Sequence, residues 1–130
     1  MINLINLKTS DLNKFLVNEI LKLKNSHWKK GLASQKKHFI RNVYKNDNHL
    51  LLYLNKNLCG YVLLRKRKCI YKKIALSYLH FDTFIIRKNF RNKKLALILM
   101  NFTNSVIKFN KTISVLYCDK KLIKFYKKFN

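Results

Sequence analysis

Acidic residues are nearly missing from this chain: one Glu and four Asp stand against 29 Lys plus Arg in 130 residues, a formal net charge of +24. Such a surface repels cations and attracts polyanions, which argues against polyamines and basic, histone-like proteins as substrates. Nucleic acids, nucleotides, coenzyme A and acidic membrane faces remain as partners. Proline is absent and glycine occurs twice. Lys, Asn, Ile, Phe and Tyr are abundant, so part of the bias follows coding composition, but a preference for Lys codons does not account for so few acids. No linker, internal repeat or low-complexity tail is present. The three cysteines, Cys59, Cys69 and Cys118, form no CxxC pair. An odd number without regular spacing indicates reduced thiols and a cytoplasmic location. Neither these cysteines nor His80 falls into a zinc-ligand spacing, so no metal is expected. No apolar run approaches the roughly 20 residues of a membrane span. The start, MINLINLKTSDLNKF, lacks the basic and apolar regions of a secretory signal.

What is present is globular. The chain is 48% hydrophobic and 13% aromatic, and its length suits a single domain over residues 1–130. INLINL (2–7) reads as a strand. Thr9 or Ser10 can cap a helix reaching about Lys24, with Leu12, Phe15, Leu16, Ile20 and Leu23 at helical spacing. After a break over 25–31, a second helix covers about Ala33–Tyr44. HLLLYL (49–54) and LCGYVLL (58–64) form a hairpin around Asn55-Lys56-Asn57. Arg65–Lys68 and Lys72-Lys73 flank a second turn, and a long strand runs over Ile74–Ile86. A helix at about 93–109, a strand at 112–118 and a helix at 120–129 complete the order β-α-α-β-β-β-α-β-α. The antiparallel hairpins come first and a β-α-β crossover comes last, giving an α+β chain with a mixed sheet and helices on its faces.

The segment Phe81–Phe102, FDTFIIRKNFRNKKLALILMNF, carries the strongest functional signal. An apolar strand bearing one carboxylate, Asp82, enters a basic turn that opens onto an amphipathic helix. Backbone N–H groups and positive charge thus meet at a helix start, where a phosphate is favoured. Strand alternation puts Asp82, Phe84 and Ile86 on one face.

Order and motifs together resemble the GNAT superfamily of acetyl-CoA-dependent N-acetyltransferases, across essentially the whole chain. The family pattern Arg/Gln-x-x-Gly-x-Gly/Ala falls on Arg91-Asn92-Lys93-Lys94-Leu95-Ala96, with Lys94 replacing the middle glycine. A second pattern, an Asn at the end of the fifth strand followed by a helix with Phe/Leu-Tyr-x-Lys-x-Gly, falls on Asp119 and on Phe125-Tyr126-Lys127-Lys128-Phe129-Asn130. The family normally continues with further strands, so the last strands are expected to be missing or truncated, or the sheet edge to be covered by a partner, leaving a homodimer open.

The resemblance implies attack of a primary amine on the thioester of acetyl-CoA as cosubstrate. Asp82 is the candidate base, directly or through water, and Tyr126 the candidate acid toward the sulfur. The ordinary alternatives are an ion-pair carboxylate and a buried tyrosine. Backbone N–H groups at Ile85 or Ile86, beside Phe84, would stabilise the oxyanion. Arg91–Ala96 and Asp119 would hold the cofactor. His27 and Trp28, between the first two helices, would shape the acceptor site, or simply pack. HWKKGLASQKKHF, the Asp47/His49 pair and GYVLLRKRK are similar to GNAT members of surface-polysaccharide biosynthesis. That makes an anionic or nucleotide-linked amino sugar the first acceptor class. The alternatives are a GNAT-type enzyme acting on aminoacyl-tRNA and a non-catalytic member binding nucleic acid or protein. His38, His49 and His80 read as polar-face or capping residues, and Arg65–Lys68 as a solvated basic edge or a phosphate contact. No Ser-His-Asp, HExxH or Walker arrangement occurs.

Overall fold

A computed structural model describes residues 1–91, 94–116 and 127. Its elements are β1 (Ile2–Lys8), α1 (Lys14–His27), α2 (Leu32–Asn42), β2 (Asn48–Leu54), β3 (Asn57–Tyr71), β4 (Ile74–Ile86), α3 (Leu95–Phe109) and β5 (Ile113–Leu116), with single 3-10 turns at Thr9–Asp11 and Lys88–Phe90. Of the expected final helix all but Lys127, and residues 117–118 of the last strand, lie outside the described residues. The sheet order is β1-β2-β3-β4-β5. The first four strands pair antiparallel, and β5 lies parallel to β4. This is the mixed α+β sheet read from the sequence.

The sheet is buried on both faces. On one, α3 sets Leu95, Leu99, Met100 and Val106 against Leu50, Leu52, Val62, Leu64, Leu79 and Phe81. On the other, α1 sets Ile20 and Leu23 against Leu51, Leu58, Tyr61, Leu63 and Ile85. Alternation within each strand sends neighbouring residues to these opposite cores.

Several local expectations change. Neither Thr9 nor Ser10 caps α1. The Thr9 hydroxyl is engaged with His49 Nε2 at 2.7 Å, and the Thr9 and Ser10 N–H groups donate to the Asp47 and Lys45 carbonyls. Asn13 caps instead, its side chain accepting from the Leu16 N–H at 2.8 Å. The helix runs on to His27 rather than ending at Lys24. Gly31, at φ 88°, then opens α2 in a conformation that a side chain would strain. Arg65–Lys68 lies inside β3, not beside a turn. The reversal is Lys72-Lys73, both left-handed at φ 48° and 65°.

His49 is wholly buried, not polar-face. Its Nδ1 shares a 2.6 Å hydrogen bond with the Tyr61 hydroxyl. Each ring nitrogen therefore has a partner, as a neutral imidazole requires. Burial pulls its pKa from 6.5 to about 4, against the favourable charge of Asp47. The unfolded chain therefore binds a proton at His49 that the folded chain refuses between those values. The stabilisation is complete above pH 6.5 and is lost as pH falls toward 4, by up to about 3 kcal/mol. Urea unfolding at a series of pH values checks this; a flat profile between pH 6.5 and 4 contradicts it.

Candidate functional site

The site begins with one extra residue in β4. Leu63 pairs with Thr83 and Leu64 with Phe81, so Asp82 has no partner in β3 and forms a bulge. The bulge resets the alternation. Phe81, Phe84 and Ile86 pack in the core beneath α3, while Ile85 joins the core beneath α1. Asp82, with Thr83, lines a cleft on the α1–α2 side. The expectation that Asp82, Phe84 and Ile86 share one face is thereby corrected: a single inserted residue inverts every side chain beyond it.

Asp82 is half-buried and held from several sides. The Thr83 hydroxyl donates to Oδ2 at 3.0 Å. Arg65 Nη1 lies 3.5 Å from Oδ1, and His80 Nδ1 lies 4.0 Å from the same oxygen. The cleft, about 220 Å³, is walled by Lys24, Trp28, Lys30, Ser34, Gln35, His38, Asp82 and Thr83. It is lined on one side by the end of α1 and the start of α2. Gln35 is fixed there by donating its amide to the Trp28 carbonyl at 2.8 Å. Burial and the nearby Lys24 charge lower the pKa of His38, so its neutral form is favoured.

The expected acceptor pair divides. Trp28, at the α1 C-terminus, faces the cleft. His27 turns to the β4–α3 loop, where its Nδ1 lies 3.0 Å from Arg91 Nη2. Burial first, and then Arg91, lower its pKa. The two rings still meet edge to face at 4.5 Å.

The proposed cofactor segment begins where β4 ends. Arg91 Nε donates to the Ile86 carbonyl at 3.1 Å, tying the loop to the strand. Lys94 caps α3 in the left-handed conformation, φ 58° and ψ 15°. This is backbone that favours glycine, the residue of the family pattern at this place. Its side chain is exposed, Leu95 behind it is buried, and Ala96 is half-buried. Among the described residues no side chain caps this helix start and no acid lies in its first turn. A diphosphate would therefore find N–H groups and cations there, without a lysine side chain buried in its way. Asn92, Lys93, Asp119, Phe125 and Tyr126 lie outside the described residues.

Of these cleft residues, Lys24 was not singled out by sequence, whereas Lys30, Gln35 and His38 lie within HWKKGLASQKKHF, where His38 reads as a polar-face or capping residue. A signal existed for Lys24: it follows Ile20 by one turn, on the stripe that buries Ile20 and Leu23. A lysine within an apolar stripe is conspicuous, but it reads equally as a helix end.

No protein-family model and no curated protein matches the chain. Solved structures do. ElaA of Escherichia coli superimposes with a TM-score of 0.79 at 18% identity, covering 100% of this chain and 86% of that one. A ribosomal-protein-alanine N-acetyltransferase from Brucella melitensis biovar Abortus 2308 gives 0.69 at 16%, covering 98% and 90%. An aminoglycoside acetyltransferase from an uncultured soil metagenomic sample gives 0.67 at 16%, covering 99% and 87%. The likeness is one of fold, the GNAT acyl-CoA N-acyltransferase fold.

Proposed function

We propose that this chain is an acetyl-CoA-dependent N-acetyltransferase acting on a primary amine, with an anionic or nucleotide-linked amino sugar as the first acceptor class and the cytoplasm as its location. The observation that carries the reading is the placement of Asp82. It sits at a strand bulge, on the wall of a cleft, on the strand that leads into the helix start at Lys94.

In this reading bound acetyl-CoA supplies the thioester. Asp82 accepts the proton lost by the acceptor ammonium, directly or through water. The cations around the cleft favour the free amine over its ammonium. As the nitrogen bonds to the acetyl carbon, N–H groups at Ile85 or Ile86 steady the developing oxyanion. Tyr126 returns a proton to the departing sulfur. Arg91–Ala96 hold the diphosphate, and Trp28 shapes the acceptor side.

Calorimetric titration with acetyl-CoA should release heat and raise the melting temperature. An amine-acceptor screen should then show thiol release, cut severely by Tyr126→Phe with little change in cofactor affinity. Absence of heat on mixing removes the transferase reading and leaves the fold intact. The +24 charge supports a second reading, a nucleic-acid-binding member. RNA that co-purifies and dissociates steeply with salt would mark it.

A further inference from the structure

The least explained group in the molecule is the Lys24 side chain. Lys24 is 4% exposed and lines the Asp82 cleft. No hydrogen bond or ion pair reaches its ammonium among the described residues. A largely desolvated ammonium that opens only onto a cleft is costly, so proteins rarely keep one without use. Its surroundings make the cost worse. Among the described residues Asp82 is the one favourable charge acting on it, and Lys30 and Arg65 both oppose it. Asp82 is already committed to Arg65 and to the Thr83 hydroxyl. Desolvation, the largest influence, lowers the Lys24 pKa.

The cleft is thus short of one negative charge. Lys24, Lys30 and His38 converge on a space whose single carboxylate among the described residues is Asp82. We infer that Lys24 is the anion-reading residue of the acceptor site: it pairs with a carboxylate or phosphate on the acceptor, while the acceptor's amine turns to Asp82. This rests on the transferase reading for its wording and deepens it. The substrate class becomes a small amine that carries its own anionic group, and a neutral amine or diamine is a poor fit. An anion entering the cleft offsets the desolvation of Lys24, and the pair is stronger there than at the open surface. Exposed lysines such as Lys22, already beside Glu19 at 3.7 Å, have no such need.

The test uses the whole chain without acetyl-CoA. Phosphoethanolamine, β-alanine and ethanolamine are titrated calorimetrically, the first two carrying a phosphate or a carboxylate and the third neither. The native chain should prefer at least one anionic amine over ethanolamine by about ten- to a hundredfold, the worth of a charged hydrogen bond. Which of the two is preferred identifies the anion. Lys24→Met should abolish that preference and raise the melting temperature, because it removes a poorly solvated charge. Lys24→Arg should retain the preference, and Lys22→Met should leave it unchanged. The inference is overturned by a Lys24→Met chain that keeps the preference or melts lower, or by equal losses in Lys22→Met, which would mark general charge attraction. A chain that releases no thiol from acetyl-CoA but keeps the Lys24-dependent preference would sink the transferase reading alone. Turnover without any anion preference would sink this inference alone.

Discussion

Asp47→Ala should lower the free energy of unfolding by about 3–5 kcal/mol, the usual cost of removing one partner from a buried ion pair. Asp47 is fully buried and uses both carboxylate oxygens. Oδ1 accepts the Lys66 N–H and Arg67 Nη1, each at 2.8 Å. Oδ2 accepts the Tyr44 N–H at 2.8 Å and Arg67 Nη2 at 3.2 Å. One side chain therefore binds the α2–β2 connection to the middle of β3. Arg67 Cζ lies over the Tyr44 ring, 4.0 Å from its centroid, and Nη2 donates to the Asn42 carbonyl at 2.8 Å. Truncation strands two backbone donors and a largely buried guanidinium together. A domain of this size holds only about 5–15 kcal/mol in total, so the variant should unfold at much lower urea. Asp47→Asn should fall between, since it keeps acceptor capacity but loses the charge. A loss below about 1 kcal/mol for the alanine variant would show that water replaces the carboxylate at little cost.

Turnover should drop about 10²- to 10⁴-fold in Asp82→Asn, the range for losing a positioned general base. The amide keeps the shape of the carboxylate and can still accept from Thr83, whose hydroxyl now donates to Asp82. Folding should survive, because Asp82 is half-buried and stands in a bulge outside the ladder. Acetyl-CoA affinity should be unchanged, since the helix start at Lys94 belongs to a different segment. The measurements are thiol release under saturating donor and calorimetry for the donor itself. Undiminished turnover would reduce Asp82 to an ion-pair partner of Arg65, its ordinary alternative.

The order of strands and helices was legible because it depends on short-range patterns. The short apolar run HLLLYL, the helical spacing of Leu95, Leu99 and Phe102, and the reversals at Asn55 and Lys72 each act within a few residues. Ile74–Ile86 has the boundaries its pattern indicates. The candidate base was legible for a plain reason: in a chain with five acids, a carboxylate in an apolar strand stands out. The bulge was not legible. Its position follows from how Leu63 and Leu64 meet β4, and nothing in FDTFII announces that pairing. The misplaced cap at Thr9 has the same origin, because a partner 40 residues away, His49, takes the hydroxyl.

Residue pattern by itself determined the mixed sheet, the succession of elements and the strand–turn–helix that ends at Lys94, because these depend on alternation, helical spacing and turn chemistry between near neighbours. Only the tertiary structure decided that Asp82 faces α1 and α2, that His27 and Trp28 look different ways, and that Lys24 is buried with no ion-pair partner among the described residues. Those outcomes turn on strand register and on which helix covers which face, and both are set by contacts between segments far apart in the chain.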